Sequence, residues 1–141
     1  MLILKDGSYV TNLPKVLVAI PAYNEEECIE GTILELKRVA PEFDFVVIYD
    51  GSRDCTLELC TNLGCNVINM LINCGLTVGF QTAACYALEN DYDYMVQFDA
   101  DGQHRPEYIS ELVSKAQFDN ADIVIGSRFL SMRKDMSMRM F

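Results

Sequence analysis

Two carboxylates carry the first chemical signal in this chain. Asp99 and Asp101 stand two residues apart in Phe98-Asp99-Ala100-Asp101-Gly102-Gln103-His104, directly after the largely apolar run Tyr94-Met95-Val96-Gln97-Phe98. In extended backbone, residues i and i+2 face the same side. Two carboxylates on one side repel each other and resist desolvation unless a cation joins them. Oxygen-only ligands suit a hard divalent ion such as Mn²⁺ or Mg²⁺. Gly102 permits a sharp turn that would bring Gln103 or His104 back toward the same ion. Taken alone, a pair of this kind more often marks an ordinary strand exit with two solvated acids, because so short a pattern recurs by chance.

The elements that would position these acids follow from the apolar pattern. Lys15 to Ile20 is a strand-length run closed by Pro21, without the alternation of a half-exposed strand, so a strand covered on both faces is expected. Asn24 is a good N-cap, and Glu25, Glu26 and Glu27 suit the positive end of a helix whose stripe is Ile29, Ile33, Leu34, Leu36 and Val39. Phe43 to Tyr49 reads as a second strand, and Asp54 as the cap of a helix stopped at Gly64. Val67 to Leu71 is a third strand, followed by a helix from about Val78 to Glu89. Asp93 to Phe98 is the fourth strand, Pro106 opens a helix, and Ala121 to Ile125 is a fifth strand leading into Gly126-Ser127-Arg128-Phe129.

This alternation predicts an α/β fold with a mostly parallel central sheet and helices on both faces. Ligands in such sheets bind beyond the carboxyl ends of the strands. Three polar clusters sit at expected strand ends: Pro21 to Glu25, Asp50 to Asp54, and Asp99 to His104. Parallel strands would bring all three to one edge. That convergence favours a site over an accident.

Composition narrows what the site binds. The chain has 141 residues, half of them hydrophobic, enough for one domain with a core. A net charge of -10 argues against general nucleic-acid binding, which needs clustered Lys and Arg. No apolar run approaches the ~20 residues of a membrane span, and the N-terminus lacks a signal-peptide layout, so a cytoplasmic location is expected. The six cysteines form no C-x-x-C pair, which leaves zinc and thioredoxin-like redox readings unsupported. No glycine-rich phosphate motif follows any strand. Three glutamates after the first strand repel phosphate, so they suit the N–H and O–H donors of a base or ribose, and Tyr23 suits a base edge or face. A metal at Asp99 and Asp101 would hold a pyrophosphate. Together these features describe a nucleotide-diphosphate donor site. A nucleotidyltransferase shares such a core but needs a glycine-rich, basic loop near the first strand, the opposite of Ala22 to Glu27.

Four stretches then make a specific resemblance: Val18-Ala19-Ile20-Pro21-Ala22-Tyr23-Asn24-Glu25-Glu26, Asp50-Gly51-Ser52-Arg53-Asp54-Cys55-Thr56, Phe98 to His104, and Gly126-Ser127-Arg128-Phe129. In this order and spacing the sequence resembles a family 2 glycosyltransferase. Gln103-His104 is similar to the dolichol-phosphate mannose synthase branch and related bacterial polysaccharide enzymes. The resemblance implies a Rossmann-like GT-A nucleotide-sugar-binding fold and metal-dependent, inverting transfer from a UDP- or GDP-sugar to a lipid-phosphate or glycan acceptor. It implies that Pro21, Ala22, Tyr23, Glu25 and Asp50 line the nucleoside pocket, with Asp99 also reaching the nucleotide. It implies that Asp99, Asp101 and Gln103 bind Mn²⁺ or Mg²⁺ with the diphosphate, and that Arg128 approaches a phosphate. Loop hydrogen bonding is the alternative for Gln103, and a surface ion pair the alternative for Arg128. His104 is better suited to a structural role than to metal binding.

The sequence also departs from that family. Tyr49 stands where a second acid is common, and the loop Asn73 to Gly79, usually richer in glycine and often basic, carries two glycines and no basic residue. No residue suggests itself as the catalytic base. The chain stops soon after Arg128, so the expected organisation is a donor-binding domain over 1–130 and a Met-rich, basic tail over 131–141, read as a truncated helix. A basic, apolar tail also suits peripheral membrane association at the cytoplasmic face, and a homo-oligomer is the other assembly open to the chain. The non-enzymatic alternative is a nucleotide-sugar-binding fragment or partner subunit without the acceptor half.

Overall fold

The computed structural model describes residues 2–3, 9–10 and 13–127, with side chains from residue 13 onward. The chain divides into two compact units, one ending at Ile109 and the other beginning at Ser110.

The first unit opens with a two-residue antiparallel pair, β1 (Leu2–Ile3) and β2 (Tyr9–Val10). Its core is a four-stranded parallel sheet of β3 (Val16–Ala22), β4 (Asp44–Asp50), β5 (Val67–Met70) and β6 (Tyr94–Gln97), in the order β5-β4-β3-β6. The unalternated apolar run of β3 is explained by this place. Val16 through Ile20 are all buried, because a central parallel strand is covered on both faces. One face carries Leu17, Ala19, Val46 and Ile48, packed with Ala83 and Ala87 of α3 (Leu76–Glu89). Alternation directs Val18, Ile20 and Val47 to the other face, where they are equally buried. Two helices serve that side, α1 (Ile29–Val39) and α2 (Thr56–Asn62). On α1, Ile29, Ile33 and Leu36 are each no more than 1 % exposed, burial that stabilises by about 1.5–3 kcal/mol per side chain.

Local stops agree with the sequence. Gly64 adopts φ +65°, its N–H bonds the Thr61 carbonyl, and the Cys65 N–H bonds the Cys60 carbonyl, closing α2 in a left-handed cap. Pro106 begins a short 3-10 turn, Pro106–Tyr108, that leads into α4 (Ile109–Asp119).

Two expectations need correction. Residues 121–125 form no strand among the described residues, and Ile123 and Ile125 are 80 % and 82 % exposed. An apolar run becomes a strand only where a sheet edge supplies backbone partners, and β6 is described with β3 alone beside it. Asn24 does not cap α1. The helix begins at Ile29, and Asn24 takes φ +57° in the preceding loop, where its side chain bonds a different segment. Asn tolerates the left-handed region because its short amide can bond locally.

Gly51 shows how tightly the loops at the carboxyl edge are packed. It has φ +63°, and a Cβ there would lie 2.7 Å from the Ile72 carbonyl carbon and 2.8 Å from the Asn73 nitrogen. Gly51→Ala is therefore expected to cost about 2–4 kcal/mol in urea unfolding, from left-handed strain plus displaced backbone. A loss under about 0.5 kcal/mol would contradict this packing.

Candidate functional site

Register decides which loops meet. Ala22 pairs with Tyr49, and Ala19 with Gln97, so the segments leaving β3, β4 and β6 emerge side by side at the carboxyl edge. The chain adds β4 and β5 on one side of β3, then crosses to place β6 on the other. The reversal lies between β3 and β6, the kind of position where open α/β sheets bind ligands. Tyr23 and Glu25 follow one of these strands, and Asp99 and Asp101 the other.

The loops after β3 and β4 are laced together. The N–H groups of Asn24, Glu25 and Glu26 donate to Ser52 Oγ at 3.0 Å, Thr56 Oγ1 at 2.9 Å and Asp54 Oδ2 at 3.1 Å. In return, the N–H groups of Arg53 and Cys55 donate to Asn24 Oδ1 at 2.9 Å and Glu26 Oε2 at 3.0 Å. Asp54 Oδ1 also accepts the Thr56 hydroxyl at 2.6 Å and the Thr56 N–H at 3.0 Å, but it stands one residue ahead of the α2 cap position, Cys55, and so is not the cap expected of it. Tyr49, at the position where a second acid was the family expectation, donates its hydroxyl to the Ser52 carbonyl at 2.9 Å and braces the same loop. Lacing of this kind leaves the 24–26 N–H groups occupied, so this helix entrance offers them to no phosphate. Tyr23 stays 41 % exposed, between buried Ala22 and the laced segment, and Pro21 is half-buried at the strand end.

Asp50 has a structural duty that the sequence did not reveal. It is 7 % exposed, and its two oxygens accept the N–H groups of Cys74 at 2.7 Å and Gly75 at 2.9 Å. A carboxylate suits the N-terminus of α3 through both hydrogen bonds and dipole. The loop that lacks basic residues is thus fixed to β4 by an acid from within the strand.

The acidic loop turns where Gly102 adopts φ +74°. Asp101 Oδ1 accepts the Gln103 N–H at 2.9 Å, so the backbone of Gln103 serves the turn while its side chain is exposed. Asp99 Oδ1 accepts Gln97 Nε2 at 3.1 Å. His104 Nδ1 accepts the Asp99 N–H at 2.9 Å, and its Nε2 lies 3.6 Å from Asp99 Oδ2. With its ring edge-on to Phe98 at 5.5 Å, His104 has the structural role expected of it. Thr32 of α1 donates its hydroxyl to the Ala100 carbonyl at 2.8 Å.

Charge concentrates here. Partial burial, reinforced by the fields of Asp101, Asp54 and Asp99, pushes the Glu25 carboxyl above its ordinary value of 4.5. Burial works to raise Asp54 too, but hydrogen bonds from Thr56 and Glu26 outweigh it and hold that carboxyl below 3.8. Among the described residues, no three His, Cys, Asp or Glu side chains form a group able to hold a metal. The donor set nevertheless fits a hard cation. Asp99 and Asp101 offer carboxylate oxygens in a field negative enough to be felt at Glu25, and such ions are commonly held by one or two carboxylates with substrate phosphates and water.

Arg128 lies outside the described residues, as does the 131–141 tail, and Gly126 and Ser127 belong to the second unit. Sequence reasoning missed Thr32 and Thr56. A threonine within the apolar stripe of α1, and a threonine two residues after an acid, were the available signals. A separate cleft of about 320 Å³ opens where the strands begin, lined by Lys37, Asp44, Asn66 and Tyr92 among others. There Lys37, Asn66 and Tyr92 already bond Leu63, Tyr86 and Asp44.

The sequence model described as Glycosyl transferase family 2 matches residues 17–140. An undecaprenyl-phosphate mannosyltransferase from Micrococcus luteus is 34 % identical over 119 residues, covering 81 % of this chain and 48 % of that protein. A polyprenol monophosphomannose synthase from Mycolicibacterium smegmatis is 30 % identical over 132 residues, covering 89 % and 49 %. The chain thus spans about half the length of these curated relatives. Among solved structures, S. aureus TarS superposes with a TM-score of 0.57 at 21 % identity, over 75 % of this chain and 33 % of its own. The mannosyltransferase PcManGT from Pyrobaculum calidifontis, in complex with GDP-Man and Mn²⁺, gives 0.50 at 22 % identity, over 55 % and 25 %. These two likenesses bear on the fold, a GT-A arrangement.

Glu25 yields a signed prediction. Its carboxyl is raised in the folded chain, so its favourable contribution is complete below 4.5 and is lost as pH rises through the folded value. Glu25→Gln is expected to melt higher than the parent near pH 7, with the gap closing toward about pH 4. Thermal melts across that range check it, and a gap independent of pH would contradict it.

Proposed function

This chain belongs to glycosyl transferase family 2, and on that basis we propose that it carries the donor side of a glycosyltransferase. The sugar would pass from a UDP- or GDP-sugar to a lipid-phosphate acceptor with inversion, and residues 1–130 would be the donor-binding domain. The observation that carries this reading is the parallel register of β3 with β4 and β6, which sets Tyr23, Glu25, Asp99 and Asp101 around one switch point. The acceptor class draws support from relatives named for transfer to undecaprenyl phosphate and polyprenol phosphate.

In this reading Tyr23 lies against the base, with Pro21 and Ala22 shaping that wall. Glu25 accepts a hydrogen bond from base or ribose, and protonation would remove that acceptor. Asp50 closes the pocket floor while anchoring the 73–75 loop. Asp99 and Asp101, with Gln103 beside them, would hold Mn²⁺ or Mg²⁺. A bound cation would supply charge stabilisation to the departing nucleoside diphosphate. Arg128 would approach a phosphate of donor or acceptor. None of the described helices is long and apolar enough to cross a membrane. The lipid-phosphate acceptor would be met at the cytoplasmic face, with the basic, apolar 131–141 segment serving peripheral association.

Calorimetry with UDP, GDP and their sugar conjugates, with and without Mn²⁺, tests this directly. One nucleotide series is expected to bind in a Mn²⁺-dependent way. Asp101→Ala should weaken that binding by at least about tenfold, with the fold intact because the side chain is exposed and lies outside the core. Binding equal to the parent would remove the metal assignment. Donor binding without transfer to polyprenyl phosphate would leave a nucleotide-sugar-binding part and remove the transferase.

A further inference from the structure

Two buried hydroxyls stand behind this site, and neither belongs to the chemistry assigned to it. Thr56 is 0 % exposed and Thr32 is 5 % exposed. Each is tied to a different loop. Thr56 Oγ1 accepts the Glu25 N–H at 2.9 Å while donating to Asp54 Oδ1 at 2.6 Å. Thr32 Oγ1 donates to the Ala100 carbonyl at 2.8 Å, across 68 residues of sequence.

The two contacts grip opposite ends of one mechanical unit. The Glu25 carbonyl accepts the N–H groups of Cys28 and Ile29 and starts α1, and the Thr32 N–H then bonds the Cys28 carbonyl. One helix entrance therefore carries the Tyr23–Glu25 loop ahead of its start and the tether to Ala100 within its first turn. Ala100 joins Asp99 to Asp101, is 2 % exposed, and has its peptide plane fixed by that tether. Threonine is a poor choice for packing alone within the stripe of Ile29, Ile33 and Leu36, since a valine of similar shape would bury no hydroxyl. Removing the Thr32 hydroxyl leaves a buried carbonyl without its partner, and removing the Thr56 hydroxyl leaves a part-buried N–H without its own, so the attached loop is expected to shift toward another one.

We propose that Thr56 and Thr32 are separate positioning residues, Thr56 for the loop bearing Tyr23 and Glu25 and Thr32 for the loop bearing Asp99 and Asp101. This assignment rests on the donor-site reading, and it divides that site into a nucleoside end and a diphosphate end that are held by different hydroxyls.

The full chain is titrated with two probes in the presence of Mn²⁺: the nucleoside diphosphate, UDP or GDP, and inorganic pyrophosphate, which lacks the nucleoside. Thr56→Val is expected to weaken the nucleoside diphosphate about tenfold and leave pyrophosphate within about twofold. Thr32→Val is expected to weaken both probes about tenfold, because both carry the diphosphate. Thr56→Ser and Thr32→Ser restore the hydroxyl and should return binding to within about threefold of the parent. If Thr56→Val does not fold, Ser52→Ala takes its place, since it removes the acceptor of the adjacent Asn24 N–H from a half-buried position. The same nucleoside-only loss is expected of it. A parent that binds both probes with Mn²⁺, but whose Thr56→Val variant weakens both equally or neither, or whose Thr32→Val variant weakens neither, overturns the positioning assignment alone. A parent that binds neither probe overturns the donor-site reading beneath it.

Discussion

Everything at the carboxyl edge depends on β3 being paired in parallel on both sides. β3 meets β4 from Leu17–Asp44 to Ala22–Tyr49, and β6 from Val16–Tyr94 to Ala19–Gln97. Because side chains alternate along a strand and both faces are covered, a one-residue slip in either pairing would exchange the residues packed on α3 with those packed on the opposite face. The hydrophobic pattern therefore locks the register, and the register fixes where three loops leave the sheet. Packing chemistry in the core thus decides the geometry of polar groups that take no part in the core.

Those polar groups are arranged against their own stability. Glu25, Asp54, Asp99 and Asp101 are close enough for their fields to add at Glu25, whose carboxyl is raised as a result. A fold selected for stability alone would disperse such charges. Their concentration at a switch point, in a chain of net charge -10, is the electrostatic form expected of a site completed by a cation and a donor with N–H and O–H groups. Hydrogen bonds from Thr56 and Glu26 relieve the strain at Asp54 and not at Glu25, so two nearby carboxyls shift in opposite directions.

Backbone N–H groups divide the site as firmly as charge does. At the entrance to α1, those of Asn24, Glu25 and Glu26 are taken by Ser52, Thr56 and Asp54. At the entrance to α3, those of Cys74 and Gly75 are taken by Asp50. Helix N-termini are the usual anion cradles of α/β folds. Here the N–H groups just ahead of two of them are taken by the chain's own side chains, and the acidic loop after β6 is the end better suited to a metal-shielded diphosphate.

The sequence by itself determined the element types, the parallel sheet and the family. Each depends on local rules: unalternated apolar runs, glycine and proline stops, and four motifs in order. It also marked Asp99, Asp101, Tyr23 and Glu25 as candidates, since residue type and strand-end position suffice for that. It overestimated local capping at Asn24 and expected a strand at 121–125, because a segment's own preference does not reveal its partner. What only the tertiary structure decided are the contacts across long sequence separations. Asp50 holds the 73–75 loop, Thr56 holds Glu25, and Thr32 holds Ala100. The physical reason is that a hydroxyl or carboxylate carries no sign in the sequence of which distant N–H or carbonyl it will meet. That choice is made when the core fixes the register and the loops come to rest side by side.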